Sequence, residues 1–195
     1  QMGVDFDRIL EGFDGPFEKV EGMAKAPAGM IADAAGATGF LLSHAVSDVS
    51  IITNRLLADD IEVSWFTEPT TLGGTAYPAG TVYVPAAPGV ADKLSAWVAE
   101  LGIAVQGTAS TPTGATLALN AVRIGLWDEY GGSSPSGWTR WIFEQFEFPY
   151  EVVYPQELDA GNLRERFDVI VFVTDAIPES DSGGGGGFDL RRRTG

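Results

Sequence analysis

Residues 121–173, AVRIGLWDEYGGSSPSGWTRWIFEQFEFPYEVVYPQELDAGNLRERFDVIVFV, constrain the fold more than any other part of the chain. A strand-like run, Val122 to Trp127, meets a Gly/Ser/Pro loop from Gly131 to Gly137. A helix pattern follows, then a second short strand, an acidic-to-basic turn or helix over Asp159–Phe167, and the apolar run Val169–Val173. This is a β-α-β-α-β order. An unbroken apolar run suits a strand buried on both faces, as in a parallel sheet flanked by helices.

The upstream half repeats the alternation. Gly39–His44 reads as a short apolar strand, and Asp48 is placed to cap a helix whose Val49, Ile52 and Leu56 share one face. Ile61–Phe66 and Thr81–Val84 read as strands. Val90, Leu94, Trp97, Val98 and Leu101 then form one apolar helix face, which Gly102 stops before a strand at Ile103–Gln106. The expected fold class is therefore α/β, built as two consecutive parallel-sheet units. The first spans 38–108, with 1–37 ahead of it as a linker or docking arm. A polar segment, 109–116, leads to the second unit, 117–178, and a glycine-rich flexible tail closes the chain at 179–195. Three strands are few for an open doubly wound sheet. The second unit is thus expected to be incomplete at Gly195, as in a piece of a longer domain cut in a mobile loop.

In the second unit, Trp138, Trp141, Ile142 and Phe146 fall on one helical face and are expected to pack into the core; the alternative, should the face be exposed, is a Trp138–Trp141 platform for carbohydrate or peptide. Ser136 is a plausible cap, and Pro149 cannot continue the helix. Arg140 lies off that face, four residues before Glu144, a spacing that allows an ion pair.

Bulk properties exclude several classes. A net charge of −15 opposes nucleic acid and anionic membrane surfaces. The absence of cysteine removes disulfides, thiolate zinc sites and cysteine nucleophiles together. No apolar run reaches the roughly 20 residues that span a bilayer, so membrane insertion is not expected. The first residues lack a basic and apolar signal pattern, and a chain beginning at Gln1 is expected to be a mature or cut product.

The segment RIGLWDEYGGSSPSGWTRWIFEQFEFPYEVVYPQELDAGNLRERFDVIVF resembles the C-terminal region of large bacterial carboxypeptidase A-type zinc metallopeptidases. GWTRW followed by EQFEFPYEV is the most specific part, and GFLLSHAVSDVSIITNRLL and AGTVYVPA resemble the region ahead of it. The resemblance covers most of residues 38–178. It implies that the second unit is a flavodoxin-like, class I glutamine amidotransferase-like domain, and that the parent protein is secreted or periplasmic. It also implies a zinc-dependent catalytic domain elsewhere in the parent. A carboxypeptidase-type site needs two histidines and a glutamate around an open zinc position. This chain has one histidine, so no zinc or other cofactor is expected in it. Neither a cysteine nor a G-x-S-x-G elbow supplies an amidotransferase-like nucleophile.

The remaining candidates are binding residues. His44 follows a strand and precedes a helix, where ligand-facing residues of α/β sheets gather. A lone histidine satisfied by its own loop is the simpler alternative. Trp127, Asp128, Glu129 and Tyr130 sit at the carboxyl end of a strand, the crevice end in such sheets. Paired carboxylates there suit acid/base work or a cation, but solvated loop acids are the plainer alternative. The loop Gly131–Gly137 matches no phosphate-binding motif, and its Gly, Ser and Pro are ordinary turn residues.

Two functions follow. The first is a non-catalytic accessory region of a secreted zinc carboxypeptidase-like metallopeptidase, partnered by the remainder of its polypeptide or fragments of it, or self-associating. The second is a small-molecule or peptide-binding α/β module with no enzymatic activity.

Overall fold

The computed structural model describes residue 8 and residues 10–23, 27–173 and 176–177. Strand β1 (Met30–Ala32) precedes β2 (Gly39–Leu42), helix α1 (Val49–Ala58) and β3 (Ser64–Phe66). A hairpin, β4 (Thr70–Leu72) and β5 (Thr75–Tyr77), leads to β6 (Val82–Pro85), α2 (Val90–Leu101), β7 (Ala104–Thr108) and β8 (Thr116–Ala118). The second part contains β9 (Ile124–Trp127), α3 (Ser134–Gln145), β10 (Tyr150–Val153), α4 (Pro155–Ala160), α5 (Leu163–Arg166) and β11 (Val169–Val171).

The fold is mixed α/β, but the first unit is not a parallel sheet. Its six strands run in the order β1-β7-β2-β6-β3-β8. Only β1 and β7 pair in parallel; β2–β7, β2–β6, β3–β6 and β3–β8 are antiparallel. The central strands β7-β2-β6-β3 follow the order of a split β-α-β motif, with two helix crossovers around an antiparallel sheet. The apolar runs arise because both faces of the central strands are covered. On one face Phe40, Leu42, Val82, Val84 and Val105 meet Ile52 and Leu56 of α1 and Leu94 and Val98 of α2. On the other, Leu41 and Tyr83 pack with Phe66, Leu72 and Tyr77, so the β4–β5 hairpin closes the second face. Each fully buried leucine or isoleucine in these layers stabilises the fold by about 1.5–3 kcal/mol.

Sheet membership extends past the expected boundaries of 38–108. Residues 30–32 pair with β7 at one edge, and residues 116–118 pair with β3 at the other. Close approach at the β1 edge depends on Gly107. A Cβ there would stand 2.3 Å from the carbonyl oxygen of Asp33.

Local signals at the helix ends are partly as expected. Gly102 ends α2 in the left-handed region, with φ 69°. Asp48 precedes α1 but makes no side-chain capping bond, because its backbone is already helical. Ser133, not Ser136, caps α3: its Oγ accepts from the Ser136 amide at 3.2 Å. The α3 helix ends at Gln145, ahead of Pro149.

The second sheet has the order β10-β9-β11 and is parallel throughout. Its core is small, with Leu126, Val153 and Phe167 as its buried apolar side chains. Contrary to expectation, the 169–173 run is not buried on both faces. β11 is an edge strand, and Val169 is 47% exposed. The expected core face of α3 is also overturned. Trp138 is 67% exposed, Trp141 52% and Ile142 45%, because no described element covers the outer side of the helix. The tail at 179–195, and with it the expected break at Gly195, lies outside the described residues.

Polar ties join the two parts. Arg55 on α1 forms a forked pair with Glu147, and its guanidinium also reaches Glu100 at 2.8 and 3.0 Å. Asn54 Nδ2 donates to the carbonyl of Phe146 at 2.8 Å. Among the described residues, no helix is long and apolar enough to cross a membrane.

Candidate functional site

At the carboxyl end of β9, the chain turns through Asp128–Gly132 into α3. Asp128 is only 2% exposed. Its Oδ1 accepts from the amides of Glu129 at 2.9 Å and Ser133 at 3.2 Å, while Oδ2 pairs with Arg140 Nη2. The carboxylate thus serves the turn and the helix instead of facing a crevice. The expected pair of Arg140 with Glu144 does not form. Glu144 accepts instead from the Tyr150 hydroxyl at 3.0 Å, and burial followed by that bond raises the phenol's pKa. Glu129 is exposed, Trp127 is half-buried, and Tyr130 lies flat on Tyr154 with ring centroids 4.8 Å apart. The Ser136 hydroxyl and Arg140 Nε are buried without a partner among the described residues. Both lie within α3 and neither borders the cavity beside α1.

That cavity, of about 670 Å³, is where His44 is found. It is bounded by α1, by Trp65 of β3 and Val82 of β6, by the connection Leu119–Val122, by Ile124 and Val169, and by the turn Glu147–Pro149. Ile124 and Val169 begin their strands, so the cavity opens at the amino ends of the parallel sheet. Trp127 ends β9 at its carboxyl end, roughly 10 Å from Ile124 at a rise of ~3.3 Å per residue, and Asp128, Glu129 and Tyr130 follow in the turn beyond it. The structure therefore separates His44 from Trp127, Asp128, Glu129 and Tyr130. Sequence reading found only His44 among the cavity residues. The walls come from many elements, and the segment 119–124 offers only Leu119, Ala121, Val122 and Ile124 interrupted by Asn120 and Arg123, which is no local signal of a cavity.

The walls are mostly apolar, and three of the polar side chains on them, Thr53, Asn54 and Glu147, are already engaged. Thr53 Oγ1 donates to the Val49 carbonyl at 2.8 Å. Both Glu147 oxygens accept from Arg55. The two carboxylates, Glu147 first, hold the Arg55 guanidinium's pKa above its ordinary value, and the same contact lowers that of Glu100. Glu147 is thereby locked in an ion pair.

The residues do not fit a zinc site. His44 is the chain's only histidine, and among the described residues no group of three His, Cys, Asp or Glu side chains is placed to hold a metal ion. No protein-family model matches the chain, and neither a curated protein nor a solved structure matches it.

Proposed function

We propose that this chain is a non-catalytic accessory region of a secreted or periplasmic zinc carboxypeptidase-like metallopeptidase, docked through α3 against the remainder of its polypeptide. The observation that carries this reading is the exposed face of Trp138, Trp141 and Ile142. Aromatic side chains of this kind dominate interface energetics, and isolated exposure of two neighbouring indoles is unusual for a surface that meets only water. The sequence resemblance over 123–172 supports the family, and the parallel β10-β9-β11 sheet is compatible with part of an amidotransferase-like, flavodoxin-like domain. On this reading zinc belongs to a catalytic region outside these residues.

The test is association with the zinc-bearing remainder of the parent polypeptide, followed by light scattering. A complex is expected, and Trp138→Ala with Trp141→Ala should weaken it on the order of 10- to 100-fold. The same double variant should leave the unfolding midpoint of the isolated chain nearly unchanged, since both side chains are exposed. A chain that stays monomeric beside its remainder overturns the docking reading. Self-association lost in the double variant assigns the face to a second copy.

A second reading, a small-molecule-binding module with no enzymatic activity, is favoured by the apolar cavity beside α1 and not by residues 127–130.

A further inference from the structure

We infer that the cavity between α1 and the amino ends of β9 and β11 binds an uncharged, mostly apolar small molecule carrying one hydrogen-bonding head group. This rests on the binding-module reading and names its site and ligand class. The volume of about 670 Å³ lies within the range of small-molecule sites. Val49, Leu57, Trp65, Val122, Ile124 and Phe148 supply an apolar wall around it. Trp65 and Val122 are each more than two-fifths exposed, so a ligand would remove apolar surface from water that the fold leaves wet.

The polar groups on the wall select the head. Thr53, Asn54 and Glu147 are occupied by Val49, Phe146 and Arg55 respectively. His44, Ser50 and Asn120 also line the cavity, and their side chains form no hydrogen bond among the described residues. They offer donors and acceptors to a hydroxyl, carbonyl or amide. Among the described residues no lysine or arginine lines the cavity to balance an anion, and the net charge of −15 opposes one further. Glu147, the one carboxylate on the wall among the described residues, already has its oxygens on Arg55 instead of facing an incoming cation.

The experiment titrates the whole chain with Nile red, then displaces the dye with decanol below its aqueous solubility, or with decanoate or decyltrimethylammonium below their micellar concentrations. Saturable dye binding is expected, with decanol the best competitor and with a change in Trp emission that Trp65→Phe removes. Val122→Trp and Ala121→Trp, which fill the cavity from exposed positions, should each weaken binding at least tenfold; the second covers any folding defect in the first. Trp138→Ala, on the far helix, should bind normally. Stronger competition by decanoate or decyltrimethylammonium overturns the ligand class while the binding reading stands. Binding insensitive to both filling variants, or abolished by Trp138→Ala, overturns the site. No dye binding and no effect of any amphiphile on Trp emission overturns the binding reading itself.

Discussion

Arg55 and Glu147, 92 positions apart, are joined by a two-bond fork, Nε to Oε2 at 2.9 Å and Nη2 to Oε1 at 2.7 Å. The pair fastens α1 to the turn after α3 and so holds one wall of the cavity against another. Forked guanidinium–carboxylate pairs are geometrically specific and stronger than single contacts. Partial exposure still limits the gain. A double-mutant cycle with Arg55→Ala and Glu147→Ala, read from urea unfolding, should give a coupling of about 1 kcal/mol. That coupling should shrink in roughly 1 M salt, where screening acts within a few ångströms.

Asp128 should behave as a structural carboxylate. Replacing it with alanine strands the Glu129 and Ser133 amides and leaves the partly buried Arg140 without its counter-charge. A loss of about 2–4 kcal/mol is expected in thermal or urea unfolding. Asp128→Asn keeps an acceptor for the amides and should lose less. Equal stability in wild type and Asp128→Ala would show that the turn does not depend on this side chain.

Gly107 sits where the Asp33 carbonyl leaves no room for a side chain. Gly107→Ala should push the chain around β1 away from β7 and cost about 2 kcal/mol by overpacking against backbone that cannot rotate aside. Hydrogen exchange should then accelerate at the amides of the β1–β7 ladder before it does so in β2 and β6.

Asp168 ties the starts of β9 and β11 together. Hydrogen bonds from the Arg123 guanidinium, then from the Arg123 amide, hold its pKa down at about 2. An unfolded aspartate titrates near ~3.9. The folded state therefore binds this proton less readily, and the tie stabilises fully above about pH 4 and is lost as pH falls toward about 2. The difference in urea midpoint between wild type and Asp168→Asn should be present at about pH 6 and vanish near pH 2. A difference that grows on acidification would reverse this assignment.

The element order was legible in the sequence because it rests on local periodicity. Val90, Leu94 and Val98 on α2 recur as a helix face must, and Gly102 marks the stop. Strand direction was not legible. The runs Gly39–Leu42 and Val82–Pro85 report that both faces are covered, not by what, and the covering hairpin at 70–77 carries no signal of its partner. The α3 face failed for a similar reason. The spacing of Trp138, Trp141 and Ile142 is the same whether the face meets a core or water, and only the surrounding layers decide. His44 was found, but the cavity around it gathers side chains from segments scattered between Val46 and Val169. Asp128 was placed at the strand end where it belongs, but its partner is Arg140, twelve residues on across a turn.

Strand β8 ends the larger sheet with all three residues exposed and Leu117 on its surface. Natural edges are usually guarded by a lysine, a proline or a bulge, and Thr116, Leu117 and Ala118 provide none. The guard here is collective. A net charge of −15 makes copies repel one another at neutral pH, which opposes pairing of one open edge with another. That repulsion fades as the medium approaches the sequence pI of about 4.2, so the open β8 edge is expected to contribute to self-association near that pH.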